Sequence, residues 1–321
     1  MAPGDASQMA VWANFRMDDK TLGIRQPDPR AGALTRTVSS APHGASCKIV
    51  NSPSRSKMIR RHWIEISDEP WCPQGIRNAV TDYCRFVTEL SGIYHAVAPL
   101  LIDALDRTGG RLVLDLGSGG GGPWLRLQPL LRKMGMDVTV CLSDHNPDVV
   151  AFERACRLSR HAIVYHAESV DATHVPSGLP GFRTMFSAFH HLDLGQARAA
   201  LADAVAHGEG IAVFEMGGQR SVLMLLAVLP VPVRVLLSVP FIRPFRWSTL
   251  LWTYLVPVLP IVLLLDSIVS VLRVYNAEDL RGLTTGLDSY RWSIGTVCGK
   301  PIPFPVLYLV GVPARSHFAA E

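Results

Sequence analysis

Apolar residues recur every three or four positions in CPQGIRNAVTDYCRFVTEL (72–90) and IYHAVAPLLIDALD (93–106). That spacing lines one face of a helix, so two helices are predicted there. From residue 111 the pattern changes to short apolar runs separated by amphipathic stretches. RLVLDLG, DVTVCLSD (137–144), AIVYHAE, RTMFSAFH and GIAVFEMG read as strands. Residues 124–134, 146–159 and 194–208 read as the helices between them, the second with Asn146 as N-cap and Pro147 in its first turn. NAEDLRGLTTG reads as a further capped helix, and SYRWSIGTV with FPVLYLVGV as a terminal strand pair. Strands alternating with helices predict a parallel sheet with right-handed crossovers, a doubly wound α/β domain that ends in a hairpin.

One segment breaks the alternation. Residues 221–272 are apolar almost throughout but interrupted by Pro230, Pro232, Arg234, Pro257 and Pro260. Proline in a spanning helix needs neighbours to satisfy the freed carbonyls, which disfavours a true membrane span. Two readings stay open: a lid over a substrate pocket, or a segment lying on a membrane surface. The predicted organisation is a disordered or extended basic leader over 1–57, a helical cap over 58–110, and an α/β domain over 111–321 carrying the apolar insertion 221–272.

Charge sharpens this division. Residues 1–62 hold ten Lys and Arg against four acids, so the remainder of this +4 chain is close to neutral. A neutral body lacks the basic stripe of a nucleic-acid-binding surface. The six cysteines show no CxxC or metal-ligand spacing, and reduced thiols in a cytoplasmic protein are expected.

The candidate chemistry centres on VLDLGSGGGGPW (113–124), with five glycines in the six residues 117–122. Such a turn between strand and helix serves NAD, FAD, S-adenosylmethionine or tight packing alike. Its neighbours narrow the choice. Asp115, just before the turn, would repel a pyrophosphate but suits a ligand with an amino or sulfonium centre. Asp144 ends the second strand, where a carboxylate can accept both ribose hydroxyls. Asp171-Ala172 follows the third, where an acid can accept the adenine amine while the next N–H meets a ring nitrogen. Each acid also has a local alternative: Asp115 as a helix cap, Asp144 as an N-cap or Asx turn, and Asp171 as a solvated loop acid.

VLDLGSGGG, LSDHNPD, VDATHVP and IAVFE, in this order and spacing, resemble the successive motifs of class I S-adenosylmethionine-dependent methyltransferases. The resemblance spans roughly 111–216. It implies a Rossmann-like, mostly parallel seven-stranded sheet with an antiparallel last strand and S-adenosylmethionine as cofactor. It also implies that Asp115, Gly117, Gly119 and Gly121 line the methionine end, Asp144 the ribose, and Asp171 with Ala172 the adenine. Ser118 and His145 sit inside the same turns and join the candidate cofactor-binding set. One departure is Arg183, which stands where the fourth strand more often opens with Asp; it either caps the sheet edge or pairs with an acid.

Methyl transfer aligns donor and acceptor and can call for a base near neutral pKa. FHHL places His190 and His191 directly after strand four, so these are the candidate catalytic residues, with His190 favoured. No metal site is expected: Glu65, Asp68 and Glu69 in EISDEPW read as a solvated edge, and no local His completes them. The expected substrate is a small apolar or amphiphilic molecule, because the insertion would line a hydrophobic pocket. No nucleic-acid partner is expected, and membrane contact would run through 221–272. The rival functions are an NAD(P)-dependent oxidoreductase, or a catalytically silent membrane-associated scaffold.

Overall fold

The computed structural model describes residues 60–218, 220–298 and 304–314, so the leader expected over 1–57 lies outside the described residues. The two N-terminal helices form as α1 (Gln74–Ser91) and α2 (Ala98–Thr108). The alternating part follows as β1 (Leu112–Leu116), α3 (Trp124–Lys133), β2 (Thr139–Ser143), α4 (Val149–Leu158), β3 (Ile163–Tyr165), β4 (Phe182–Phe186), α5 (Leu194–Ala206) and β5 (Ile211–Met216). The insertion contributes α6 (Val222–Val228), α7 (Val231–Ser238), α8 (Trp247–Leu250) and α9 (Val258–Arg273). After it come α10 (Ala277–Thr284), β6 (Tyr290–Cys298) and β7 (Pro305–Pro313).

The strands form one sheet in the order β3-β2-β1-β4-β5-β7-β6. β1 to β5 pair in parallel, and β7 runs antiparallel to both β5 and β6. This is the seven-stranded sheet with an antiparallel last strand that was expected. The order reverses between β1 and β4, and ligands of such sheets bind beyond the strand ends at that switch point.

Local details differ from the sequence reading. The N-cap of α4 is Asp148, whose carboxylate accepts the Ala151 N–H at 3.1 Å. Asn146 lies two residues before that cap, in an Asx turn where Asp144 Oδ1 accepts its backbone N–H at 2.9 Å. Arg183 is buried and pairs with Asp203 at 2.6 Å, which settles its partner as an acid. Cys84 and Cys298 are exposed rather than buried, Cys298 because it ends an edge strand.

The described residues include two hydrophobic cores. The larger packs Leu101, Leu105, Trp124, Phe152 and Phe214 between the sheet and its helices. In the smaller, Ile76, Ala79, Val80 and Tyr83 of α1 meet Val231, Val235, Leu259 and Leu263 of the insertion. Burying each of the Ile, Val and Leu side chains stabilises by about 1.5–3 kcal/mol, so cap and insertion are joined firmly. Only one face of the insertion is covered. Leu223, Leu237, Phe241, Trp247, Leu255 and Ile261 are more than half exposed on the other, so the insertion is not wholly buried. Val222–Phe241 is apolar and long enough to cross a membrane, and only 17% of its apolar window is buried. Trp247–Leu255 and Val258–Arg273 make a second such stretch only if counted together, and they are bent by 83°.

Candidate functional site

Register places the first functional pair. Asp115 lies opposite Thr184 across β1 and β4, and Thr184 Oγ1 donates to Asp115 Oδ1 at 2.7 Å. Ser118 Oγ donates to Asp115 Oδ2 at 2.7 Å, and the Ser118 N–H reaches the Ser143 carbonyl at 3.0 Å. Ser118 is thereby a fastener between the turn and the ends of β1 and β2. Asp115 is 1% exposed. Burial pushes its carboxyl up to about 6, although hydrogen bonds from Thr184 and Ser118 work against the rise. Gly117 sits at φ +68°, where a Cβ would meet the Ala188 Cβ at 2.8 Å, so the turn after β1 touches the turn after β4. A Gly117→Ala variant is expected to lose about 1–3 kcal/mol through that backbone conformation and the contact, measured as a lower denaturant midpoint.

The ends of β2 and β3 meet the same turn. Asp144 Oδ2 accepts the Gly119 N–H at 2.8 Å, and the Asp144 carbonyl accepts Val170 N–H at 2.9 Å. The exposed His145 lends its carbonyl to Ser169 Oγ at 2.7 Å, which binds the loop after β3 to the end of β2. Asp171 is exposed, and its Oδ1 accepts both the N–H and the hydroxyl of Thr173 at 2.8 Å, with Ala172 beside it. The Thr173 hydrogen bonds hold the Asp171 carboxyl below its ordinary range. Asp144 thus adopts the Asx turn and Asp171 the solvated loop position weighed as alternatives, yet both follow the carboxyl ends of adjacent strands. Above the glycine turn lies α1, with Thr81 and Arg85 closest to Gly120. A groove of about 390 Å³ between α3 and the end of α4 is lined by Trp124 but by none of the predicted cofactor or catalytic residues.

The histidines occupy a short 3-10 turn, Phe189–His191, directly after β4. His190 is buried: its Nδ1 bonds Glu215 Oε2 at 2.7 Å and its backbone N–H donates to Glu215 Oε1 at 3.1 Å. His191 Nδ1 bonds Asp68 Oδ2 at 2.7 Å. Desolvation pulls the His191 pKa down, but Glu65 and the Asp68 hydrogen bond outweigh it and hold the imidazole up at about 9. Desolvation pushes Asp68 up, and the His191 and Arg273 contacts reverse that to about 2.

Here the reading of EISDEPW needs correction. Glu65 is 4% exposed, not solvated, and faces both histidines, with Oε1 3.7 Å from His190 Nε2 and Oε2 3.9 Å from His191 Nε2. Its partners come from over a hundred positions away, beyond the reach of local spacing. Ser270 Oγ donates to Glu65 at 2.8 Å, and Arg273 Nη1 lies 3.5 Å from Glu65 and 3.3 Å from Asp68. Arg273 and Arg60 also donate to the carbonyls of His191 and Leu192, each at 2.8 Å, bracing the histidine turn. Glu65, Glu215, Arg60 and Arg273 are the members of this constellation that sequence reasoning missed. The one signal for Glu215 was its place at the end of IAVFE. Tyr94 also joins the site, its hydroxyl 2.7 Å from Ser187 Oγ. Ser187 holds φ +46°, a strained backbone of the kind that clusters at functional sites.

No family model matches the chain, and no curated protein matches it. Similar solved structures include the O-methyltransferase NcsB1 from neocarzinostatin biosynthesis, bound to S-adenosylmethionine and 2-hydroxy-5-methyl naphthoic acid. It is 13% identical over 75% of this chain and 58% of its own, with a TM-score of 0.45. The S-adenosylmethionine-dependent methyltransferase SibL is 15% identical over 69% and 56%, with a TM-score of 0.42. A Rhodobacter sphaeroides protein described as a Zn-dependent alcohol dehydrogenase is 12% identical over 74% and 98%, also at 0.42. The chain spans 46% to 58% of the length of the citrinin polyketide synthase CMeT domain, SibL and NcsB1. Likenesses this distant do not choose between the two chemistries. The strand order does bear on the fold: seven strands as 3-2-1-4-5-7-6 with the seventh antiparallel is the class I methyltransferase fold.

Proposed function

We propose that the protein is an S-adenosylmethionine-dependent methyltransferase that acts on a small apolar or amphiphilic acceptor at a membrane surface. The observation that carries this reading is the convergence at one switch point of a glycine turn, Asp115, Asp144, the loop holding Asp171 and Ala172, and the carboxylate-held His190. The donor set fits the cofactor: acids for an ammonium, ribose hydroxyls and an adenine amine, with glycine backbone where the methionine half must approach closely.

Bound there, the cofactor supplies a methyl group on a cationic sulfur. Asp115 gives the methionine end a negative potential, and Asp144 is placed for the ribose. Glu215 occupies His190 Nδ1, which leaves Nε2 as the atom that accepts a proton from the acceptor. The rest of the rate comes from alignment and exclusion of water. Calorimetric titration with S-adenosylhomocysteine should give a micromolar Kd and NAD(H) none. Affinity for NAD(H) alone would establish the oxidoreductase instead.

Membrane contact rests on the uncovered insertion. Monomeric soluble proteins rarely expose large contiguous apolar patches. Between Glu215 and Asp266 the chain has no Asp, Glu or Lys and four arginines, of which Arg234 and Arg243 are exposed. Exposed apolar side chains beside arginine, with Trp247 and Tyr254 as amphipathic anchors, suit the interface of an anionic bilayer at its cytoplasmic face. The prolines and the face packed on α1 keep these helices in the plane of the surface rather than across it. The full chain should float with vesicles containing one-third phosphatidylserine. A Leu237→Glu, Phe241→Glu, Trp247→Glu variant, changed only at exposed positions, should bind at least tenfold more weakly. Wild-type protein that stays in the dense fraction would refute the contact.

A further inference from the structure

We propose that Glu65, His190 and His191 form a divalent-metal site, taking a transition-series ion such as Zn²⁺ through two imidazole Nε2 atoms and one carboxylate. The proposal deepens the methyltransferase reading, since the ion would sit at the acceptor end of that same site.

Each imidazole has one nitrogen committed to a carboxylate: Nδ1 of His190 to Glu215 and Nδ1 of His191 to Asp68, both at 2.7 Å. A carboxylate only accepts, so Nδ1 carries the hydrogen in each ring. The remaining nitrogen of each ring, Nε2, faces Glu65, and an ion bound there would take the place of the proton on His191 Nε2. The three candidate ligand atoms lie within 4.8 Å of one another. The separations of 3.7 and 3.9 Å are too long for hydrogen bonds. They lie a few tenths of an ångström beyond the roughly 3.3–3.6 Å that separates two tetrahedral ligands of one ion, so a small closure of the three side chains would seat it.

The surroundings are those of a built site. Histidine ligands of metals characteristically donate their second ring N–H to a carboxylate, which fixes ring orientation and tautomer, and here both rings do so. Glu65 is oriented by Ser270 and Arg273 through Oε1, which presents Oε2 to His191. Glu65 and His190 are buried, while His191 lies partly open to solvent and gives an approach. Two histidines and one carboxylate leave coordination positions free for an oxygen of the acceptor. An ion there would lower the proton affinity of a hydroxyl acceptor, and His190 would then act as ligand rather than as free base.

The test uses the full chain, stripped by chelator and titrated with Zn²⁺ alone and with Co²⁺ alone by calorimetry and visible absorption. One ion should bind per chain with a micromolar or tighter Kd. Glu65→Gln and His191→Asn should each weaken binding at least tenfold. Asp68→Asn, which removes only an outer carboxylate, should weaken it 10–100-fold. Circular dichroism melts of each variant confirm the fold. Wild-type protein that binds neither ion below 100 µM, or folded E65Q that binds as wild type does, overturns the site. S-adenosylhomocysteine titration of the same samples separates the two ideas. Nucleoside binding without ion binding sinks the metal site alone, and ion binding without nucleoside binding sinks the methyltransferase reading alone.

Discussion

Replacing His190 with alanine should lower kcat for methyl transfer by roughly 10²–10⁴, the range of a lost general acid–base group, with S-adenosylhomocysteine affinity unchanged within twofold. The imidazole stands on the turn that follows β4, two residues from the Ala188 that touches the glycine turn. It is locked there by Glu215 through both ring and backbone. Removing it takes away the acceptor-activating group whether or not an ion is bound. Because H190A leaves the 1% exposed Glu215 without its ring partner, some stability should also go. His190→Asn keeps a nearby donor for Glu215 and controls for this: it should melt close to wild type and still be inactive. Folded H190N with more than a third of wild-type kcat would remove His190 from the reaction.

Asp115→Asn should separate binding from stability in opposite directions. Loss of the buried anion is expected to weaken the cationic cofactor about 100-fold, read by calorimetry. Stability should move the other way above neutral pH. The carboxyl rises from an ordinary 3.8 to about 6 on folding, so the folded state holds the proton more tightly than the unfolded chain does. Wild-type stability therefore falls as pH climbs from about 4 to about 6 and stays lowered beyond that. The displacement corresponds to roughly 3 kcal/mol, and D115N lacks it. The variant should gain on wild type between pH 4 and pH 8, measured by urea unfolding at each pH. A stability difference that stays constant across that range would show that Asp115 does not ionise as a buried, destabilised anion.

The parts of this molecule written in short-range pattern could be read in advance. The two cap helices, the alternating strands and the three acids at successive strand ends all follow from periodicity and from residues within a turn of each other. What could not be read depends on contacts between distant segments. Glu65 looked solvated because Ser67, Asp68 and Glu69 follow it, and nothing local says that Ser270 and Arg273 will close over it. Asn146 looked like a helix cap, but an Asx turn on Asp144 delays the helix by two residues, and Asp148 caps it instead. The insertion read as wholly apolar, and composition alone could not say that one face packs on α1 while the other stays bare.

α9 ties two of these regions into one rod. Its 16 residues span about 24 Å, with Ile261 and Leu265 bare along its first half. Farther on, Asp266 accepts the backbone N–H groups of Ile66 and Ser67, and Ser270 and Arg273 clasp Glu65. A helix of four turns does not flex at one end independently of the other. Whatever seats the bare half therefore also sets the height and tilt of the carboxylate beside the histidines. The surface on which the protein rests and the spot where chemistry happens share a single mechanical axis, like the two arms of a balance.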